Sequence, residues 1–225
     1  MVDPEQFNAD QLAFGNGLGG PTWVVRQAHT DITLAPVSEA LLALSAPRAR
    51  AAGITNVDWR QADAATAALD GFDLLASNFG LMFFGDPVAA FAHLRRAASP
   101  GARMAFVRWR SLAENPWMEV PMRAVSPHVP PRSKPDPQAP GMFAFADPQR
   151  VSHVLIAAGW APPRFDELDC DLDIAAGRGL EEAVVQSIPI GAVGSWLRGQ
   201  PAEVIAAAVA SIREALAAHR DRASC

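Results

Sequence analysis

Two short stretches carry the residue types that could do chemistry. One is Gln61-Ala-Asp63-Ala64, which puts a carboxylate after the alternating run Asn56-Val-Asp-Trp-Arg. The other is Ser77-Asn78-Phe79-Gly80, which follows the apolar run Phe72-Asp-Leu-Leu-Ala76. Each reads as the end of a strand, and open α/β sheets bind their ligands beyond the carboxyl ends of their strands. A carboxylate there can accept a hydrogen bond from a ligand, or it can cap a helix starting at Ala64. Both roles stay open for Asp63, and they are compatible.

Other catalytic constellations are missing from the sequence. His29, His93, His128, His153 and His219 are scattered, with no His-x-x-x-His spacing, and Cys170 and Cys225 make no ligand pair. No metal is expected. There is no G-x-S-x-G elbow for an acyl-transfer nucleophile. Gly15-x-Gly17-x-x-Gly20 matches the dinucleotide fingerprint in form only. That fingerprint needs a buried strand before it and a helix from its last glycine, whereas Asp10-Gln-Leu-Ala-Phe14 precedes it and Pro21-Thr-Trp23 follows. A nicotinamide-dependent oxidoreductase is set aside on that ground.

The elements that must position the two stretches are legible around them. Phe72–Ala76 has the length and composition of a strand buried on both faces. Asp86-Pro87 opens a helix, with Asp as N-cap and Pro at the first position. Its apolar stripe is Val88, Phe91, Ala92 and Leu94, and Arg95-Arg96 suit the negative end of the helix dipole. Ser99-Pro-Gly101 stops the helix and Arg103–Trp109 reads as a second buried strand, so the block predicts a parallel strand–helix–strand unit. Further strands are expected at 56–62 and, from uneven alternation, at 164–174 on the 103–109 side. Helices are expected at Leu34–Ala46, from Glu114 to about His128, and after the Asp147-Pro148 cap with Val151, Val154, Leu155 and Ala158 inward. Three more follow at Gly179–Ile188, Gly191–Leu197 and Pro201–His219. Buried apolar runs separated by helical segments indicate an α/β class with three layers.

With 225 residues, 50% hydrophobic and 19% charged, the chain can bury a core as one domain, or one domain with a small lid. A net charge of −5 without a Lys/Arg-rich stretch argues against a nucleic-acid partner. No apolar run reaches membrane length, so no membrane partner is expected. Met1-Val2 leads into Asp3-Pro4-Glu5 with no signal-peptide pattern, and two cysteines make no disulfide framework. The expected location is cytoplasmic.

The block FDLLASNFGLMFFGDPVAAF, followed by LRRAASPGARMAFVRWR and then AENPW, resembles class I S-adenosylmethionine (SAM)-dependent methyltransferases. It is most similar to their second half in the methyltransferase type 11, quinone-methyltransferase-like group, and the resemblance spans roughly Asn8 to Ser187. It implies a three-layer Rossmann-like methyltransferase fold with a mostly parallel sheet, here abbreviated. It also implies an N-terminal helical cap over 1–35, the methyltransferase domain over 36–225, and a proline-rich lid at about 114–146. SAM is the implied cofactor. By the same likeness Asp63 accepts from the adenine amine, the Ala64 backbone meets the ring, and Ser77, Asn78 and Phe79 face the transferred methyl. Trp23 and Gln27 are implied lid residues over the cofactor, and His29, Trp117, Phe143 and Phe145 are candidates for the pocket of a small apolar or aromatic acceptor. Methyl transfer is an in-line displacement that depends on alignment and dryness, so no catalytic residue is named. His29 and Asp31 are the nearest polar candidates for a base.

One departure bears on chemistry. The family holds the amino-acid end of SAM on a D-x-G-x-G turn, then uses an acid after its second strand for the ribose. Here the segments VSEALLALSAP and RARAAGITNVDWRQADA, which normally flank that region, meet near Pro47-Arg48. The family's last antiparallel strand is also not seen ahead of HRDRASC. Either the sequence as given omits a segment, or the chain lacks it. In the second case residues 37–52 should run as one helical passage kinked at Pro47, with strand 56–62 or a second copy taking the place beside 72–77. The alternative function is then a relative that has lost SAM binding and acts as a binding or homodimerising protein.

Overall fold

The computed structural model describes residues 50–51, 53, 62–69, 71–132, 136–169, 172, 174–189 and 191–223. The expected cap, the helix at 34–46, the join at Pro47-Arg48 and all but the last residue of the strand at 56–62 lie outside the described residues. The chain divides into two compact units, one of residues 1–109 with 136–165 and one of 110–135 with 166–225. The expected lid at 114–146 is thereby shared between them.

In the first unit β1 (Phe72–Asn78) pairs in parallel with β2 (Ala98–Val107). From Leu74↔Arg103 to Asn78↔Val107 the register is regular, and it slips between Phe72 and Leu74. The slip lies opposite Ser99-Pro-Gly101, where Gly101 takes φ 81°, a left-handed value that suits glycine. That triplet therefore starts the second strand early instead of only ending the helix, and β2 stops at Val107 rather than at Trp109.

The crossover is α1 (Pro87–Ala97). Its N-cap Asp86 accepts from the Ala89 N–H at 2.9 Å, and Arg95 and Arg96 occupy its last turn. Its inward face is Ala90, Phe91 and Leu94, while Val88, expected inside, is exposed. Phe91 is the centre of a ring cluster, with Phe84, Phe145 and Phe106 at 5.7, 5.9 and 6.1 Å. α3 (Pro148–Ala157) packs beside α1 with Val151, Val154 and Leu155 buried. It ends in a Schellman motif: the Trp160 N–H donates to Leu155 O and the Gly159 N–H to Ile156 O, with Gly159 at φ 86°. The indole N–H of Trp160 then donates to Phe91 O at 3.0 Å, tying that helix end to the middle of α1.

Two expectations are corrected. Residues 72–76 are not buried on both faces: Leu74 is 55% exposed, and Val107, on the same face of β2, is 42% exposed. Among the described residues the sheet has two strands, and the covered face is the one carrying Leu75, Met104 and Phe106. Residues 164–169 form no strand. Phe165 and Leu168 are exposed, and Glu167 and Asp169 turn instead to the guanidinium of Arg110. Uneven alternation gave that segment no consistent apolar face to bury.

The second unit is helical: α2 (Pro116–Val125), α4 (Leu180–Ser187), α5 (Val193–Leu197) and α6 (Ala202–Ala223). Val120, Val125, Val184, Val193, Leu197, Ile212 and Leu216 form its core. His128, in the turn after α2, meets Ser211 Oγ of α6 at 2.8 Å. Arg213 donates to both carboxylate oxygens of Glu181 at 2.7 and 2.9 Å, which holds that carboxyl below its usual value.

Phe91→Ala should destabilise the chain by about 3–5 kcal/mol through lost transfer energy plus a cavity. Val88→Ala, at an exposed position of the same helix, should stay within about 0.5 kcal/mol, both read from urea unfolding midpoints. In the second unit, a depressed folded pKa means that Glu181 contributes stability above its unfolded value, lost as pH falls through the lowered folded value. Arg213→Ala should move the Glu181 titration upward in a carboxyl NMR experiment and remove that acid-side loss.

Candidate functional site

The carboxyl end of β1 is shaped by backbone constraint. Phe79 follows the strand with φ 60°, a left-handed conformation that a bulky side chain rarely takes. Such a residue costs about 1–3 kcal/mol unless its surroundings hold it. Three contacts do so. The Phe79 N–H donates to Val107 O at 3.1 Å, and the Gly80 N–H donates to Ser77 Oγ at 3.2 Å. The Phe79 ring stacks on Trp109, with centroids 4.2 Å apart and planes inclined by 17°. Each hydrogen bond contributes about 0.5–1.5 kcal/mol and the ring pair a similar amount, enough together to offset the strain. A Cβ at Gly80 would come within 3.1 Å of Ser77 Oγ, so the turn is drawn close around that hydroxyl. Asn78, the last residue of the strand, is exposed.

The second stretch also closes on itself. Asp63 accepts from the Ala65 N–H at 2.9 Å and from Thr66 Oγ1 at 3.3 Å, and its carbonyl accepts from the N–H groups of Thr66 and Ala67. Residues 64–66 form a turn and no helix, so the carboxylate closes that turn rather than capping a helix. The carboxylate is exposed and all the hydrogen bonds described for it are local, while an ionised carboxylate offers about four acceptor sites. His93 of α1 fixes the end of this turn, its Nε2 lying 2.8 Å from Ala67 O.

The remaining candidates fall in several places. Trp23, Gln27 and His29, with Asp31, lie outside the described residues. Ala64 is exposed in the Asp63 turn. Trp117 belongs to the second unit, where its indole N–H donates to Asn115 Oδ1 at 3.3 Å. Phe143 is half-buried, whereas Phe145 is a core residue of the Phe91 cluster. Sequence reasoning missed two residues. Trp109 read as a strand residue, and it is the ring on which Phe79 rests. His93 read as one of five scattered histidines, and its partner Ala67 O, 26 residues away, left no local signal for a tether.

A family model described as a methyltransferase domain matches residues 12–106. This stretch is similar to methyltransferase domains. The match takes in the Asp63 turn, β1, its loop, α1 and nearly all of β2, so the two candidate stretches lie inside it. With the parallel strand–helix–strand unit, it makes the fold an abbreviated Rossmann-like α/β fold. No curated protein and no solved structure matches the chain. No described helix is long and apolar enough to cross a membrane.

Loss of the His93 tether should loosen the first unit locally. His93→Ala removes one hydrogen bond, about 1 kcal/mol, and should raise amide exchange across 63–67 about fivefold while leaving the second unit's helices unchanged.

Proposed function

We propose that the chain is a SAM-dependent methyltransferase acting on a small apolar or aromatic acceptor. The observation that carries this reading is the constrained Ser77–Gly80 loop at the carboxyl end of β1, within the matched methyltransferase domain. The donor set suits the adenosyl half of SAM. Asp63 keeps acceptor capacity for an adenine amine, the Ala64 backbone is accessible beside it, and Asn78 offers an exposed amide at the strand end. Phe79, half-buried and backed by the buried Trp109, supplies apolar surface next to that amide, which suits a sulfonium methyl and an apolar acceptor. When bound, SAM would supply an electrophilic methyl group. The chain's own residues would orient it and keep water away, which is where much of the rate of such a displacement arises. No D-x-G-x-G turn stands in the sequence for the amino-acid end, so the adenosyl half carries the recognition in this reading. We further take Trp23 and Gln27 as lid residues within an N-terminal cap at 1–35, His29 and Phe143 as acceptor-side residues, and the cytoplasm as the location.

The test separates binding from local turn closure. Asp63→Ala and Asp147→Ala each remove a carboxylate that accepts a nearby backbone N–H, Asp63 from Ala65 at 2.9 Å and Asp147, a helix N-cap, from Gln149 at 2.8 Å. In an NMR titration Asp63→Ala should weaken SAM about ten- to a hundredfold, and Asp147→Ala less than about twofold. Equal affinities for the two variants would remove Asp63 from the site.

The exposed face of the sheet favours a second reading, a methyltransferase relative that dimerises. Leu74 and Val107 are large apolar residues on one face, with exposed Ala76 and Ala105 between them. Under this reading light scattering gives twice the chain mass, Leu74→Lys with Val107→Lys gives monomers, and SAM causes no shifts. A monomeric parent chain would dismiss it.

A further inference from the structure

We propose that Trp109 is a positioning residue for methyl transfer: it clamps Phe79 and so holds the Ser77–Gly80 loop in the turn that meets the methyl donor. This deepens the SAM-dependent reading and rests on it. Trp109 lies just beyond β2, is only 8% exposed, and stacks nearly parallel on Phe79. Its neighbour Arg108 is held from two sides: its guanidinium donates to Ala146 O at 2.9 Å and lies 5.2 Å from the centre of the Phe165 ring. The end of β2 is thus a fixed platform. Phe79 is the opposite kind of residue, in a conformation that its own side chain disfavours. A ring fixed in place can hold a strained neighbour only while the two remain stacked. Release of Phe79 toward negative φ would swing the Asn78–Phe79 peptide, and with it the exposed end of β1 where a ligand would sit.

The consequence is a specific coupling between the two positions. If Trp109 acts by holding a left-handed Phe79, it should become dispensable once residue 79 takes that conformation without strain. Glycine does so. In the full chain, Trp109→Leu should weaken SAM about tenfold by NMR titration, whereas Trp109→Phe, which can still stack, should weaken it less than about threefold. In the Phe79→Gly background, Trp109→Leu should change SAM affinity less than about twofold. A residue that merely fills the core would cost the same in both backgrounds. A second readout uses the unaltered fold. In chain labelled with 5-fluorotryptophan, the resonance absent from Trp109→Phe belongs to Trp109, and it should move on addition of SAM. Wild-type affinity in Trp109→Leu, equal losses in both backgrounds, or an unmoved Trp109 resonance in a chain that binds SAM would overturn the proposal while leaving the SAM reading intact. Absence of SAM binding by the wild-type chain would overturn the SAM reading, and this proposal with it.

Discussion

Parallel pairing of β1 with β2 is the constraint on which the site depends. Antiparallel strands can be joined by a tight turn, but parallel neighbours need a crossover that returns the chain to the starting edge. Asn78 and Val107 end side by side, so the chain must leave the carboxyl edge, run back along the sheet as α1 and re-enter at Ala98. The loop after β1 is thereby fixed at the ligand edge. The same return places Phe91 over the sheet face that carries Phe106, which is why one ring serves as the centre of the unit's apolar core.

The two candidate loops are held in different ways. The Asp63 turn is stabilised by its own carboxylate and tethered once, by His93 to Ala67 O. The carboxylate that closes the turn has acceptor capacity beyond those bonds. The Ser77–Gly80 loop has its backbone donors satisfied by Val107 O and Ser77 Oγ, and its ring by Trp109. One loop offers charge and the other offers a rigid apolar shelf. Methyl transfer uses both kinds of surface: polar groups to hold a nucleoside, and dry, aligned surroundings for the displacement.

Local signals in the sequence were reliable where the chemistry is local. Asp86-Pro87 and Asp147-Pro148 cap their helices as their residue types require, and Gly159 takes the left-handed position after α3. The apolar runs at Phe72 and Arg103 became the parallel pair. What failed depends on partners distant in sequence. Burial on both faces was inferred for β1 from composition alone, yet Leu74 is exposed because burial is decided by what lies above a strand. The segment after Arg164 has strand-like apolar residues, but its carboxylates engage Arg110, a competition that periodicity does not register. Trp109 and Phe79 are far apart in sequence, and nothing in either residue's neighbours announces the stack. The departure from the family pattern near Pro47-Arg48 was legible only against that pattern, and it lies outside the described residues.

Under the proposed function, the carboxyl edge of the β1–α1–β2 unit is where this chain meets a methyl donor. The most direct measurement is a residue-by-residue map of amide shifts in the full chain on titration with S-adenosylhomocysteine, which lacks the reactive methyl but keeps the adenosyl half. We expect shifts to concentrate at Ala64, Ala65, Asn78, Phe79 and Gly80, with the α6 amides of the second unit unmoved. Shifts centred on α2 and α6, or none at all at concentrations that saturate weak sites, would contradict the account.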